Sequence, residues 1–144
     1  MSVERLKLQG VLLRVERLTV KIKIARLAVV ASLIWNVLLF FSLTLSFFGS
    51  EEKAPLGVQL AQSQGILVIG ALTLAIHIIA IKYLRQEPVS TFSKIIVVLN
   101  CGWMLTLAFL TGFTIGLLVL PSPVLLLLAS ILLLTDGFPL NKQG

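Results

Sequence analysis

Charge is scarce in this chain, and scarcest where it would matter for transport or catalysis. Only 12% of the 144 residues are charged, six of them acidic, and residues 95–135 contain no Asp, Glu, Lys or Arg. Proton-coupled carriers, voltage sensors and carboxylate-ringed pores work through charge buried in the membrane, so these classes are disfavoured. There is one cysteine, Cys101, which excludes an intrachain disulfide, and its apolar surroundings suit a small buried filler. There is one histidine, His77, with no cysteine cluster beside it to suggest zinc. No serine, cysteine or carboxylate stands at motif spacing from His77, and the few acids flank the apolar runs, so nothing in the pattern points to an enzyme.

Apolar length dominates what remains. Hydrophobic residues make up 58% of the chain and the mean hydropathy is +1.05, values of an integral membrane protein. A helix needs roughly 20 apolar residues to cross about 30 Å of hydrocarbon. By that measure the chain divides into an arm (residues 1–26) and a membrane domain (27–144), with spans at about 27–48, 65–84, 94–112 and 116–135. The fold class expected is all-α: a four-helix membrane bundle of two transmembrane hairpins with an N-terminal basic amphipathic helix. "GSEEKAPLG" separates the first pair of spans and "KYLRQEPVSTFSK", with Pro88, the middle pair. The turn between the last two spans is expected in "TGFTIG" (111–116), with Pro121 in the first turns of the fourth helix; "PSP" (121–123) is the alternative.

Basic residues set the expected orientation. Eleven of the twelve Lys and Arg lie on one side of such a bundle, leaving Lys53 alone on the other, so both termini are expected to be cytoplasmic, or stromal in a thylakoid-like membrane. A cleaved signal peptide is disfavoured, because the apolar stretch exceeds 20 residues and no A-x-A site follows it. The net charge of +6 belongs beside the spans, where anionic lipid explains it better than nucleic acid does. In the arm, Leu8, Val11, Val15, Leu18, Ile22, Ala25 and Val29 recur at alternating spacings of three and four, a helical stripe running into the first span. Arg14, Arg17 and Lys21 occupy another face and, with Lys23 and Arg26, are expected to meet lipid headgroups or a partner. "TVKIKIA" alternates enough to allow a local strand.

Polar residues inside the spans cost energy and so need reasons. Asn36, His77, Asn100 and Ser130 fall at depths of roughly 7 to 15 Å when counted from the nearest charge, which places them in one expected layer. They either hydrogen-bond across helices and set register, or hold a ligand. Small residues mark stripes where helices approach in lipid: Ala28 and Ser32 beside Asn36; Gly70, Thr73 and Ala80 beside His77; Cys101, Ala108, Gly112 and Gly116 beside Asn100. The first and third spans also align faintly, with Trp35 over Trp103 and Arg26 over Lys94, as two parallel repeats would.

Two classes of function fit. One is a noncatalytic accessory or scaffold subunit of a larger membrane complex, with membrane lipids and other subunits, or copies of itself, as partners. The other is a small oligomeric transporter or channel for a neutral or apolar solute, or a subunit using His77 to bind a tetrapyrrole or quinone. Four spans with short loops resemble several unrelated groups of small membrane proteins, too many to carry any residue over.

Overall fold

The structure, a computed structural model, describes residues 3–49, 56–86 and 88–135. Among them every regular element is helical: α1 (Val3–Gly49), α2 (Leu56–Leu84), α3 (Thr91–Leu110), α4 (Gly112–Val119) and α5 (Pro121–Leu134). Four stretches are long and apolar enough to cross a membrane: Lys7–Ser46, Gln64–Leu84, Thr91–Leu110 and Gly116–Leu134. Lipid offers no partner to a backbone N–H or C=O, so runs this rich in Leu, Ile and Val must satisfy their own polar groups as helices. The protein is therefore a small polytopic membrane protein. Lys53, Asp136 and Lys142, which entered the charge count, lie outside the described residues.

α1 is one uninterrupted helix of 47 residues, about 70 Å at 1.5 Å per residue. The alternating segment "TVKIKIA" is helical within it, since the three-and-four stripe extends on both sides and a strand there would find no neighbour. Ile22 is half-buried, and Ala25, Ala28 and Val29 are buried against the bundle. Higher up the arm, Leu8, Val11, Val15 and Leu18 are 40–62% exposed.

Short connections fold the spans back on one another. Arg26 closes the end of α2, donating Nε–H to the Leu84 carbonyl at 2.7 Å, a bond that satisfies one of the helix's orphan acceptors. Ser90 caps α3, its Oγ accepting from the Ser93 N–H at 3.2 Å, while Ser93 Oγ donates to the Tyr83 carbonyl at 3.0 Å. After Thr111 the chain reverses, and Gly116 lies so close to the Ala108 carbonyl that no side chain would fit between them. The backbone ladder then runs on through Leu120 N–H to Gly116 O and Val124 N–H to Leu120 O, so α4 and α5 form one span with a joint at Leu120. Pro121 stands at the start of α5, where its missing N–H costs least.

Neighbours in the bundle follow a ring, α1 to α2 to α3 to α5 and back to α1. The core that this ring encloses contains Ala25, Val29, Ala80, Val97, Met104, Leu126 and Leu133. The two aligned tryptophans play comparable parts. Trp35 Nε1 donates to the Leu118 carbonyl at 2.9 Å, and Trp103 Nε1 donates to Thr73 Oγ1 at 3.0 Å, each tying its helix to a neighbour.

Candidate functional site

The polar groups that the spans carry converge at the centre of the ring. On α1, Ser32 and Asn36 stand four residues apart and so share a face. Ser32 Oγ lies 2.9 Å from His77 Nε2 on α2 and also bonds Ser122 Oγ on α5. Asn36 Nδ2 lies 3.2 Å from the same His77 nitrogen and donates to Ser122 Oγ at 2.8 Å, with Met104 Sδ on α3 3.9 Å away. Two adjacent turns of α1 thus bond both flanking helices, and all four spans contribute an atom. The cluster is almost wholly buried: Ser32, His77 and Ser122 have no exposed surface and Asn36 keeps 5%.

The imidazole's protonation follows from its neighbours. Nδ1 lies 2.8 Å from the Thr73 carbonyl, one turn earlier on α2. A carbonyl only accepts, so Nδ1 carries the hydrogen, and in neutral imidazole Nε2 is then the acceptor. Both nitrogens are engaged within the protein. His77 thus presents no free lone pair to an axial position on a tetrapyrrole, and no free donor to a quinone carbonyl. Among the described residues no group of His, Cys, Asp or Glu is placed to hold a metal ion.

Two of the four residues expected in one layer, Asn36 and His77, meet; the other two do not join them. Ser130 is buried, but its hydroxyl donates to the Leu126 carbonyl of its own helix at 2.8 Å. Asn100 is fully buried with neither amide atom bonded. Ser122, on the fourth span, falls outside the expected layer when depth is counted from the nearest charge. That count assumes every helix meets the interface at its own charge, and the contact of Ser122 with Ser32 shows the helices to be offset. The signal that could have found it is "PSP" itself, a polar residue held between two prolines inside an apolar span.

The small-residue stripes face helices. Ala28, Ser32, Gly70, Thr73, Ala80, Cys101 and Gly116 are buried and Ala108 is half-buried, while Gly112 lies among residues whose side chains are not described. Gly70 meets the ring of Phe40 so closely that a Cβ there would collide with it. Cys101 Sγ sits 3.7 Å from the Pro123 carbonyl, which fits a packing role.

Comparison with known proteins finds no matching family, no matching curated protein and no matching solved structure.

Beside the cluster a cavity of about 160 Å³ opens between α1, α2 and α3. Asn36 and Thr73 lie at its polar end; Leu39, Phe40, Ile69 and Leu107 are among its apolar walls. At the arm end of the bundle, Lys23, Arg26 and Arg85 surround a cleft walled by Leu27, Val30, Ile81 and Leu84. Arg14 and Arg17 are exposed on the arm and Lys21 is half-buried.

Proposed function

We propose that the protein is a noncatalytic accessory or scaffold subunit of a larger membrane assembly, attached to its neighbours by the arm that α1 extends beyond the bundle. The observation that carries this reading is the continuity of α1. One apolar stripe is buried at Ala25 and Val29 and continues, on the same unbroken helix, through exposed Leu18, Val15, Val11 and Leu8. A helix collinear with a span projects from the membrane; it cannot also lie flat on the headgroups, as a surface-bound amphipathic helix does. Exposed apolar area of this kind marks an interaction surface. The buried polar cluster supports the same reading, because its side chains fill the centre of the bundle where a conduit would need a path.

Charge around the stripe favours a particular partner. The spacings of three and four place Leu8, Val15 and Ile22 at one seam position and Val11, Leu18 and Ala25 at the other. Arg5, Lys7 and Arg14 then flank the exposed part of the seam with no carboxylate among them. A second copy in parallel would bring basic edges to basic edges. An apolar helix edged with Glu or Asp complements the arm far better. Eleven of the twelve basic residues fall on the arm's side of a four-span chain, a bias that supports a cytoplasmic or stromal arm and partner.

Gentle detergent extraction of a tagged protein from its own membrane tests this. A partner should co-purify at fixed stoichiometry, and a Val11→Asp, Val15→Asp double variant should lose it while the bundle melts unchanged. Recovery of this chain alone, or equal recovery with the double variant, would sink the proposal.

A further inference from the structure

The polar cluster and the cavity share one side chain, and its bonding specifies what the cavity can hold. Because His77 Nε2 is an acceptor, the atom of Asn36 facing it at 3.2 Å must donate, which fixes the amide with Nδ2 toward His77. The same Nδ2 donates to Ser122 at 2.8 Å and lies 3.9 Å from Met104 Sδ, so its two hydrogens are shared among acceptors already in the protein. The side-chain carbonyl Oδ1 takes no bond from any described residue, and unlike the amide atoms of Asn100 it is not sealed in the core. Asn36 is 5% exposed, and the cavity is the space that it lines. An unfilled acceptor thus stands at the polar end of an apolar chamber.

The remaining polar groups on the wall have no donor to spare. Thr73 donates its hydroxyl hydrogen to the Ile69 carbonyl at 2.8 Å and accepts the Trp103 indole N–H. Thr111 donates its own to the Leu107 carbonyl at 2.8 Å. A ketone, quinone or ester carbonyl entering here would leave its oxygen without a partner, a loss that buried polar groups rarely sustain. We infer that the cavity binds the hydroxyl end of an uncharged apolar alcohol, its O–H donating to Asn36 Oδ1 and its carbon chain lying against Leu39, Phe40, Ile69 and Leu107. About 160 Å³ is close to the volume, roughly 150 Å³, that accepts benzene in an apolar protein cavity, so about six or seven non-hydrogen atoms fit inside. The walls are apolar and Gly70 lets the Phe40 ring close one side.

Fluorescence of Trp103, whose indole touches the cavity-lining Thr73, gives the readout. In a Trp35→Phe background in proteoliposomes, 6-bromohexan-1-ol, 6-bromohexan-2-one and 1-bromohexane are compared as quenchers at equal concentration in the bilayer. The alcohol is expected to quench with an apparent affinity about fivefold to tenfold above the ketone and the alkane, the worth of one hydrogen bond. Asn36→Leu should abolish that preference. Leu74→Phe, which fills the cavity from its wall and leaves the hydrogen-bond network intact, should weaken quenching by all three. Competition with unlabelled hexadecan-1-ol separates sources: displacement assigns the site to a long-chain alcohol of the bilayer, and no displacement to a short one. Equal quenching by alcohol and ketone in the Trp35→Phe protein, or a preference that survives Asn36→Leu, overturns the inference. Should Asn36→Leu fail to fold by circular dichroism, the alcohol-to-ketone comparison and the Leu74→Phe variant still decide it.

Discussion

Asn36 and Ser130 look alike in sequence, each a polar residue in an apolar helix, yet only Asn36 bonds its hydrogens to other helices. A hydroxyl that returns to the carbonyl one turn earlier satisfies itself and ties nothing together, whereas bonds between spans average about 0.6 kcal/mol and reach about 1.7. Asn36→Leu is therefore expected to destabilise the bundle by about 1–2 kcal/mol, and Ser130→Ala by close to zero. Detergent unfolding followed by circular dichroism checks the pair; equal losses would mean that the central cluster does not hold the helices. Two glycines allow a second comparison. A methyl at Gly70 meets the Phe40 ring, which can swing toward lipid, but a methyl at Gly116 meets the Ala108 backbone carbonyl, which cannot move without parting two helices. Gly116→Ala should cost about 1–3 kcal/mol in the same assay and Gly70→Ala clearly less.

At the scale of the element, one stripe on α1 has two surroundings. Its lower half is packed by the bundle, and its upper half repeats the same spacing in the open. Helical continuity across the membrane boundary is what keeps the exposed half in line with the buried half, and Thr19 lies on the exposed half just above the first buried turn. Thr19→Pro removes one backbone donor and crowds the Val15 carbonyl, breaking α1 there. Co-purification of the proposed partner should drop at least tenfold, while thermal unfolding of the membrane bundle shifts little; retained co-purification would show that the arm works as a free segment. The short α4 differs from the long helices. It is set off from α5 at Leu120, where Pro121 and Pro123 each withhold a donor from a ladder that otherwise continues, and the Leu118 carbonyl nearby accepts the Trp35 indole.

The whole molecule is a set of antiparallel spans, which makes sidedness a collective property. In a Cys101→Ala background, Leu8→Cys and Pro88→Cys should react with a membrane-impermeant maleimide from one side, and Thr111→Cys from the other. On the proposed orientation the first two face the cytoplasm or stroma. Labelling of Leu8→Cys and Pro88→Cys from opposite sides would contradict the four-span topology itself.

Sequence alone determined the class, the number of spans, the α1 stripe and which faces are small. These depend on local quantities, namely apolar length against membrane thickness and side-chain spacing against helical period. Tertiary structure decided how those faces meet. Depth counted from flanking charges put Asn36, His77, Asn100 and Ser130 together, but helix offset depends on packing at many contacts at once. Packing brought Ser32 and Ser122 to His77, turned Ser130 onto its own helix and left Asn100 without a partner. The state of His77 was likewise invisible beforehand, because a tautomer follows from which atoms face the ring. Once Thr73 O and Asn36 Nδ2 are seen to do so, the imidazole becomes a structural bridge, and the Asn36 carbonyl oxygen is the amide atom that the cluster leaves unbonded.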